Sequence, residues 1–503
     1  MTPRGKLFLF LAGATALRLL FASQHELAPD EAYYAMWSER LDICYYSKGP
    51  GIAATIWVGT HLFGMNEFGI RFFAPLLALG TSLLVFYLAR RLYNETVGVW
   101  AAFMVNCLPI FNAGALVMTI DALSIFFWSA ALYTIWRALE QSPKFSWWWP
   151  ATGALIGLGF LCKYTNIMQL VSVGLLLAVT RKYRAEFRRP GFFLMVAAFL
   201  PCTLPPLIWN ARHDWITIGH LSARGGLQKA FSFEPGEFFT FVLQHFGVYS
   251  IIIFALIILA VVRAVPLSRQ KFKPRFLLAF GLPLWALYLW LALKQAGEAN
   301  WTAPAMISLG ILATALWIER ARTSRPAALL AFAGLALGLF TTLVVLDTDF
   351  LRRFGIPFSY EIDPSKRMRG WRTAAEKIET VRATFEQQCG QPAFLIASSY
   401  GVAADLGFYL HDKRLFGPGH PPIYFPESQQ IENQFSFWPR YDEFIAVPPE
   451  QLSKESYFTE EMGINPFHGR NALYITDRAE ERPPSTVKGG FERTEMIACI
   501  DQR

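Results

Sequence analysis

The chain has 503 residues, 53% of them apolar, and 46 Lys and Arg against 38 Asp and Glu give it a net charge of +8. Apolar runs recur from residue 7 to residue 346, which excludes an ordinary soluble globule and reads as a mainly α, polytopic membrane helix bundle. The basic surplus follows membrane topology, so it calls for no nucleic-acid partner.

In chain order the runs predict about 11 spans by length and apolarity. They fall at roughly 7–23, 72–89, 96–116, 119–138, 148–162, 165–180, 191–209, 239–262, 276–293, 301–318 and 326–346. Lys163 is the one clear break between the fifth and sixth. With the N-terminus in the cytoplasm, the cytoplasmic connections collect Arg4, Lys6, Arg90, Arg91, Arg137, Lys144 and the basic groups near 181–189, 263–275 and 320–325. The opposite side, after its first loop, receives chiefly Lys163, Arg212, Arg224, Lys229 and Lys294. That is the positive-inside pattern. The first span reads as an uncleaved signal anchor. Phe21-Ala22-Ser23 would suit a cleavage site, but Arg18 lies inside the stretch and removal would detach the acidic loop behind it. Arg18, if it points inward, needs an acidic or phosphate partner.

The first outer loop, about 24–71, holds the most informative residues. Pro29 opens a short helix whose first turn carries Asp30 and Glu31, where carboxylates suit the positive helix end. Tyr34, Tyr45 and Tyr46 follow, then the Ser47-Lys48-Gly49-Pro50 turn and Gly64 through Arg71. An acid pair, aromatics and a cation in one loop at a span mouth read as a reaction site, although a solvated capping pair and a snorkelling Lys explain the same residues blandly. Asp121 starts the fourth span, either as an N-terminal cap or as a second site acid. The loop between spans seven and eight carries Asn210, Arg212, His213, Asp214, Trp215, His220 and Arg224, read as phosphate or sugar contacts or as interfacial anchors. Lys294, Glu298, Asn300 and Trp301 form a further outer cluster, in which Glu298 is a candidate substrate contact.

With an odd number of spans, residues 349–503 fall outside as a small α/β domain, leaving 1–348 as the membrane domain. The tail has an amphipathic helix from Gly370-Trp371 to Gln388 and strand-like runs at Ala393–Ala397, Phe444–Val447 and Ala472–Ile475. Cys389 and Cys499 either pair or stay as free thiols. The sequence holds no Walker motif, dinucleotide fingerprint or HExxH pattern, so a pump or a sugar-nucleotide enzyme is disfavoured.

The acidic pair, Tyr45-Tyr46-Ser47-Lys48-Gly49-Pro50, Phe63-Gly64 through Arg71, Thr119-Ile120-Asp121 and Asn210 through Trp215 together resemble the GT-C membrane glycosyltransferases. The similar branch comprises the relatives of protein O-mannosyltransferases and lipid A aminoarabinose transferases. The tail segment Asp363-Pro364 to Gly370-Trp371 is similar to tails in this branch. The resemblance implies a polyprenyl-phosphate monosaccharide donor, catalysis on the periplasmic face of a bacterial inner membrane, and no metal. Oligosaccharyltransferases of the wider group use a divalent cation, which Asp30 with Asp121 would have to hold. Asp30 matches the family's loop-one acid, and Lys48 matches the Lys of a Lys-Pro-Pro turn that here reads Lys-Gly-Pro.

The chemistry agrees. An acceptor hydroxyl is a poor nucleophile and needs a carboxylate base, for which Asp30 is the candidate beside Glu31 and Asp121. The phosphate leaving group needs cations, for which Lys48, Arg224 and His213 are candidates, with Tyr34, Tyr45, Tyr46, Arg71, Arg212 and Glu298 as substrate contacts. One in-line displacement inverts the anomeric centre. The acceptor is expected to be an envelope glycolipid or glycan. Transfer to protein is the alternative within enzymes, and a lipid flippase or secondary transporter is the alternative outside them. A transporter would show internal repeats and midplane acids, and neither is visible.

Overall fold

The computed structural model describes residues 1–228, 232–295, 297–356, 363–411, 422–425, 431–438, 471–478, 482–489 and 491–499. The chain divides into two compact units, one of residues 1–23 and 42–364, the other of residues 24–41 and 365–503.

The first unit is a helix bundle. Among the described residues seven helices are long and apolar enough to cross a membrane: Glu67–Leu92, Ile120–Gln141, Pro190–Arg212, Ile251–Gln270, Phe272–Ala292, Ala299–Ala321 and Arg325–Val344. Glu95–Val105, Trp148–Cys162 and Tyr164–Val179 are shorter apolar helices at expected positions. The chain is a multi-pass membrane protein. Its interior is apolar, with Phe276, Leu309, Ile257 and Phe254 fully buried, while Leu194, Leu200, Leu204 and Leu207 face outward as lipid-facing residues do.

Three local features differ from the expectation. Helix Gly51–Phe63 lies inside the expected first outer loop; at 13 residues it is too short for a span and its run is diluted by Thr55, Gly59, Thr60 and His61. The run at 96–116 is two helices, Glu95–Val105 and Pro109–Ala113, because Pro109 cannot continue the hydrogen-bond ladder. The run at 239–262 breaks between Pro235–Val248 and Ile251–Gln270 at Ser250, which takes a left-handed φ of 67°. Uniform hydropathy hides such breaks.

The first helix, Pro3–Phe21, packs in this unit, and Arg18 is buried. Its partners are carboxamides rather than the expected anion: Nη2 donates to Asn106 Oδ1 (3.0 Å) and Asn112 Oδ1 (2.5 Å). Both amides are held in turn, Asn106 by Ser82 and Asn112 by Thr342, so the buried polar groups satisfy one another.

In the second unit, helix Trp371–Cys389 and the parallel strands β1 (Ala393–Ala397) and β2 (Asn471–Ile475) pair in the register Ala393 to Asn471. The expected strand at Phe444–Val447 lies outside the described residues. Segment 24–41 is bound into this unit by its own polar groups. Glu26 accepts from Trp371 N (2.6 Å) and Arg372 N (3.3 Å), capping the helix that starts there. Leu27 N donates to Tyr409 Oη (2.9 Å), and Arg40 stacks on Trp438 at 4.6 Å. The thiols of Cys389 and Cys499 are free and exposed.

Candidate active site

In the first unit the Lys48 turn is closed by Tyr45 N donating to Lys48 O at 3.0 Å. Two glycines press it against the end of helix Trp148–Cys162. A Cβ on Gly49 would run into the carbonyl oxygen of Leu161, and one on Gly51 into the Cys162 sulfur. No side-chain carbon fits at position 49, which gives the physical reason for Lys-Gly-Pro in place of Lys-Pro-Pro.

The chain then leaves that helix through extended Lys163. Lys163 Nζ donates to Asp121 Oδ1 at 2.5 Å, the two side chains being 10% and 18% exposed. Asp121 sits in the first turn of helix Ile120–Gln141, and its other oxygen accepts from Asn300 Nδ2 at 2.7 Å. The turn Ala299–Thr302 that carries Asn300 is fixed by Tyr249 Oη and Thr302 Oγ1, which donate to Ala299 O at 3.0 and 2.9 Å. Next to Asn300, the Trp301 ring lies 5.4 Å from the Arg224 guanidinium. Arg224 ends helix Ile216–Arg224; one turn earlier His220 packs on Tyr46 with ring centroids 4.6 Å apart. Tyr46 stands two residues before Lys48, so the contacts return to the turn where they began.

The field inside this circuit is cationic. His220 is pushed down to about 4, by burial first and then by Lys48 and Arg224, so it is neutral at pH 7 while both cations bear on it. Two cations beside a neutral imidazole, with the nearby acid already neutralised by Lys163, suit an anion such as phosphate.

In the second unit the acidic pair divides its labour. Glu31 is fully buried, and its Oε2 accepts from Ala28 N at 3.0 Å, tying the start of helix Pro29–Ser38, the loop helix. Asp30, beside it, is exposed. An exposed carboxylate can accept a proton from a bound hydroxyl where the two come within hydrogen-bond reach. Tyr34 is buried in the same helix against Trp37 (ring centroids 5.0 Å apart).

The other expected contacts are placed as follows. Tyr45 is buried, its hydroxyl accepts from Asp42 N (3.1 Å), and burial raises it to about 12. Arg71 is buried and donates to Ala22 O (3.1 Å), at the end of the first helix. His213 stacks on Trp209 at 4.0 Å with Nδ1 2.7 Å from Trp209 O. Arg212 and Glu298 are exposed. The circuit thus gathers Lys48, Tyr46, Asp121 and Arg224 from the expected set. It also draws in His220 and Asn300 from the two outer clusters, and Lys163, for which the sequence suggests no site role. In the sequence Lys163 marks a break between spans, although a charge between two apolar runs is itself a signal.

Among the described residues no three His, Cys, Asp or Glu side chains form a metal-ligand set, and both Asp121 oxygens are already hydrogen-bonded. Asp121, so engaged by Lys163 and Asn300, does not fit a divalent-cation site.

A family model described as dolichyl-phosphate-mannose-protein mannosyltransferase matches residues 47–209, the stretch from the Lys48 turn past Asp121 and Lys163. The chain is 26% identical over 479 residues, 92% of each sequence, to a lipid A galacturonosyltransferase, RgtD, of Rhizobium johnstonii. It is 30% identical over 180 residues to an undecaprenyl phosphate-alpha-4-amino-4-deoxy-L-arabinose arabinosyl transferase 2 of Pseudomonas fluorescens, covering 32% of this chain and 33% of the other. Among solved structures, ArnT from Cupriavidus metallidurans bound to undecaprenyl phosphate aligns with a TM-score of 0.63 at 18% identity, over 88% of this chain and 90% of that one.

Proposed function

We propose that this multi-pass membrane protein, whose fold is of the GT-C type, is a glycosyltransferase that moves a monosaccharide from a polyprenyl-phosphate donor to a lipid A-type glycolipid acceptor. The observation that carries the reading is the convergence of Lys48 and Arg224 on His220, beside an Asp121 that Lys163 has already neutralised. Such a cluster of cations suits a lipid phosphate and the charge it gains on leaving. The acceptor oxygen attacks the anomeric carbon, the bond to the donor phosphate oxygen breaks, and the acceptor proton passes to a carboxylate, the role that the sequence assigns to Asp30. The polyprenyl phosphate departs, and the anomeric centre inverts.

The match over 92% of each sequence to a lipid A galacturonosyltransferase favours a glycolipid acceptor over protein, since the protein mannosyltransferase model covers residues 47–209. It also makes a hexuronic acid the first donor sugar to try. The Lys/Arg asymmetry supports a cytoplasmic N-terminus and a reaction on the periplasmic face of a bacterial inner membrane. The test is mass spectrometry of lipid A from a host lacking the gene and complemented with wild type or Asp30→Asn. One sugar mass restored by wild type and absent with a normally expressed Asp30→Asn supports the reading. Restoration by both removes Asp30 as the base, and restoration by neither sends the acceptor to another class.

A further inference from the structure

Helix Tyr400–Tyr409 packs along the loop helix, with Gly401 and Gly407 on the facing side. A Cβ on Gly401 would lie 3.6 Å from Pro29 Cβ, and one on Gly407 3.3 Å from Met36 Sδ. Between these glycines stands Asp405, 0% exposed, with neither carboxylate oxygen hydrogen-bonded among the described residues. An ionised carboxylate in that position is expensive, and taking up a proton relieves the cost.

The surroundings sharpen the penalty. Burial first, then Glu31, Glu26 and Asp30, push the Asp405 carboxyl well above the usual carboxylate range. Strand β1, packed on the same helix, carries no titratable side chain. From helix Trp371–Cys389, Arg372 lies over the Tyr409 ring at 5.3 Å.

We propose that Asp405 is a positioning residue for the transfer reaction: as a neutral acid buried against the loop helix, it seats the Glu31 side of that helix and so holds Asp30 at its exposed start. The inference rests on Asp30 being the base. When Asp405 loses its proton, a like charge appears beside buried Glu31, the two helices repel, and Asp30 loses its place. Activity then falls on the alkaline side for a reason that lies outside the reacting atoms.

The test is hydrogen exchange of amides 29–38 in the full chain in detergent from pH 6.5 to 9.5, corrected for the intrinsic pH dependence, with turnover followed in parallel. For the wild type, exchange is expected to rise about tenfold with pH while kcat falls and KM changes little. Asp405→Asn keeps the shape without the charge, and both its exchange and its kcat are expected to stay flat. A flat wild-type exchange profile, or the same rise in Asp405→Asn, overturns the proposal. Should Asp405→Asn not fold, the wild-type exchange profile decides alone. Exchange is read without substrate, so a pH-dependent profile in a chain that transfers no sugar supports the seating role and refutes the proposed function instead.

Discussion

Replacing Lys163 by Met strips Asp121 of its ammonium partner and leaves it the single N–H of Asn300. At a charge separation of about 3 Å and an effective dielectric of roughly 20, the gross attraction is about 5 kcal/mol. Desolvation takes back most of that, because the two side chains are only 10% and 18% exposed. The pair is therefore worth about 1 kcal/mol net, but stranding Asp121 costs about 3 kcal/mol, the low end for a buried pair because both groups keep some water. In thermal unfolding in detergent, read by Trp fluorescence, that is a fall of about 4 °C for a unit of this size. Asp121→Asn is expected to cost about as much by stranding Lys163. The double variant should recover, to within about 1 kcal/mol of wild type. A double variant that loses the sum of the two singles, with a coupling below about 0.5 kcal/mol, would refute the pairing and the charge balance of the site with it.

Lys48→Ala and Arg224→Ala are each expected to lower kcat/KM about 100-fold with little change in melting temperature; unchanged turnover would remove them from the phosphate site. Gly49→Ala drives a carbon against the Leu161 carbonyl and is expected to cost about 1–3 kcal/mol in the same unfolding assay, with a wild-type melting point as the contrary result. His220 ionises near 6.5 when unfolded and at about 4 when folded, so the unfolded state binds more protons between those values and the folded state loses stability as pH falls below 6.5. His220→Gln should flatten that acid limb between pH 7 and pH 4.5, and an unaltered limb would assign it to another group.

Much of the architecture was legible. Long apolar runs have one stable solution in a bilayer, so helices such as Ile120–Gln141 and Phe272–Ala292 appear where hydropathy puts them. The amphipathic period of Trp371–Cys389 and the apolar run of β1 were equally plain. Asp121, Lys48 and Arg224 stood out because charge beside apolar sequence is rare. The helix Gly51–Phe63 and the break at Ser250 were hidden, the one by its small and polar residues and the other by unbroken hydropathy.

The sequence alone determined the class of molecule, the run of membrane helices and a short set of charged candidates, because each of these depends on neighbours along the chain. Tertiary structure decided which candidates meet. Asp121 finds Lys163 42 residues away and Asn300 179 residues away, and Glu26 caps a helix that starts 345 residues later. Only packing brings such groups within hydrogen-bond reach, since no local period or propensity encodes a partner so distant. The same packing separated Glu31 from Asp30: adjacent in sequence, one is buried and ties the start of its helix, and the other is exposed.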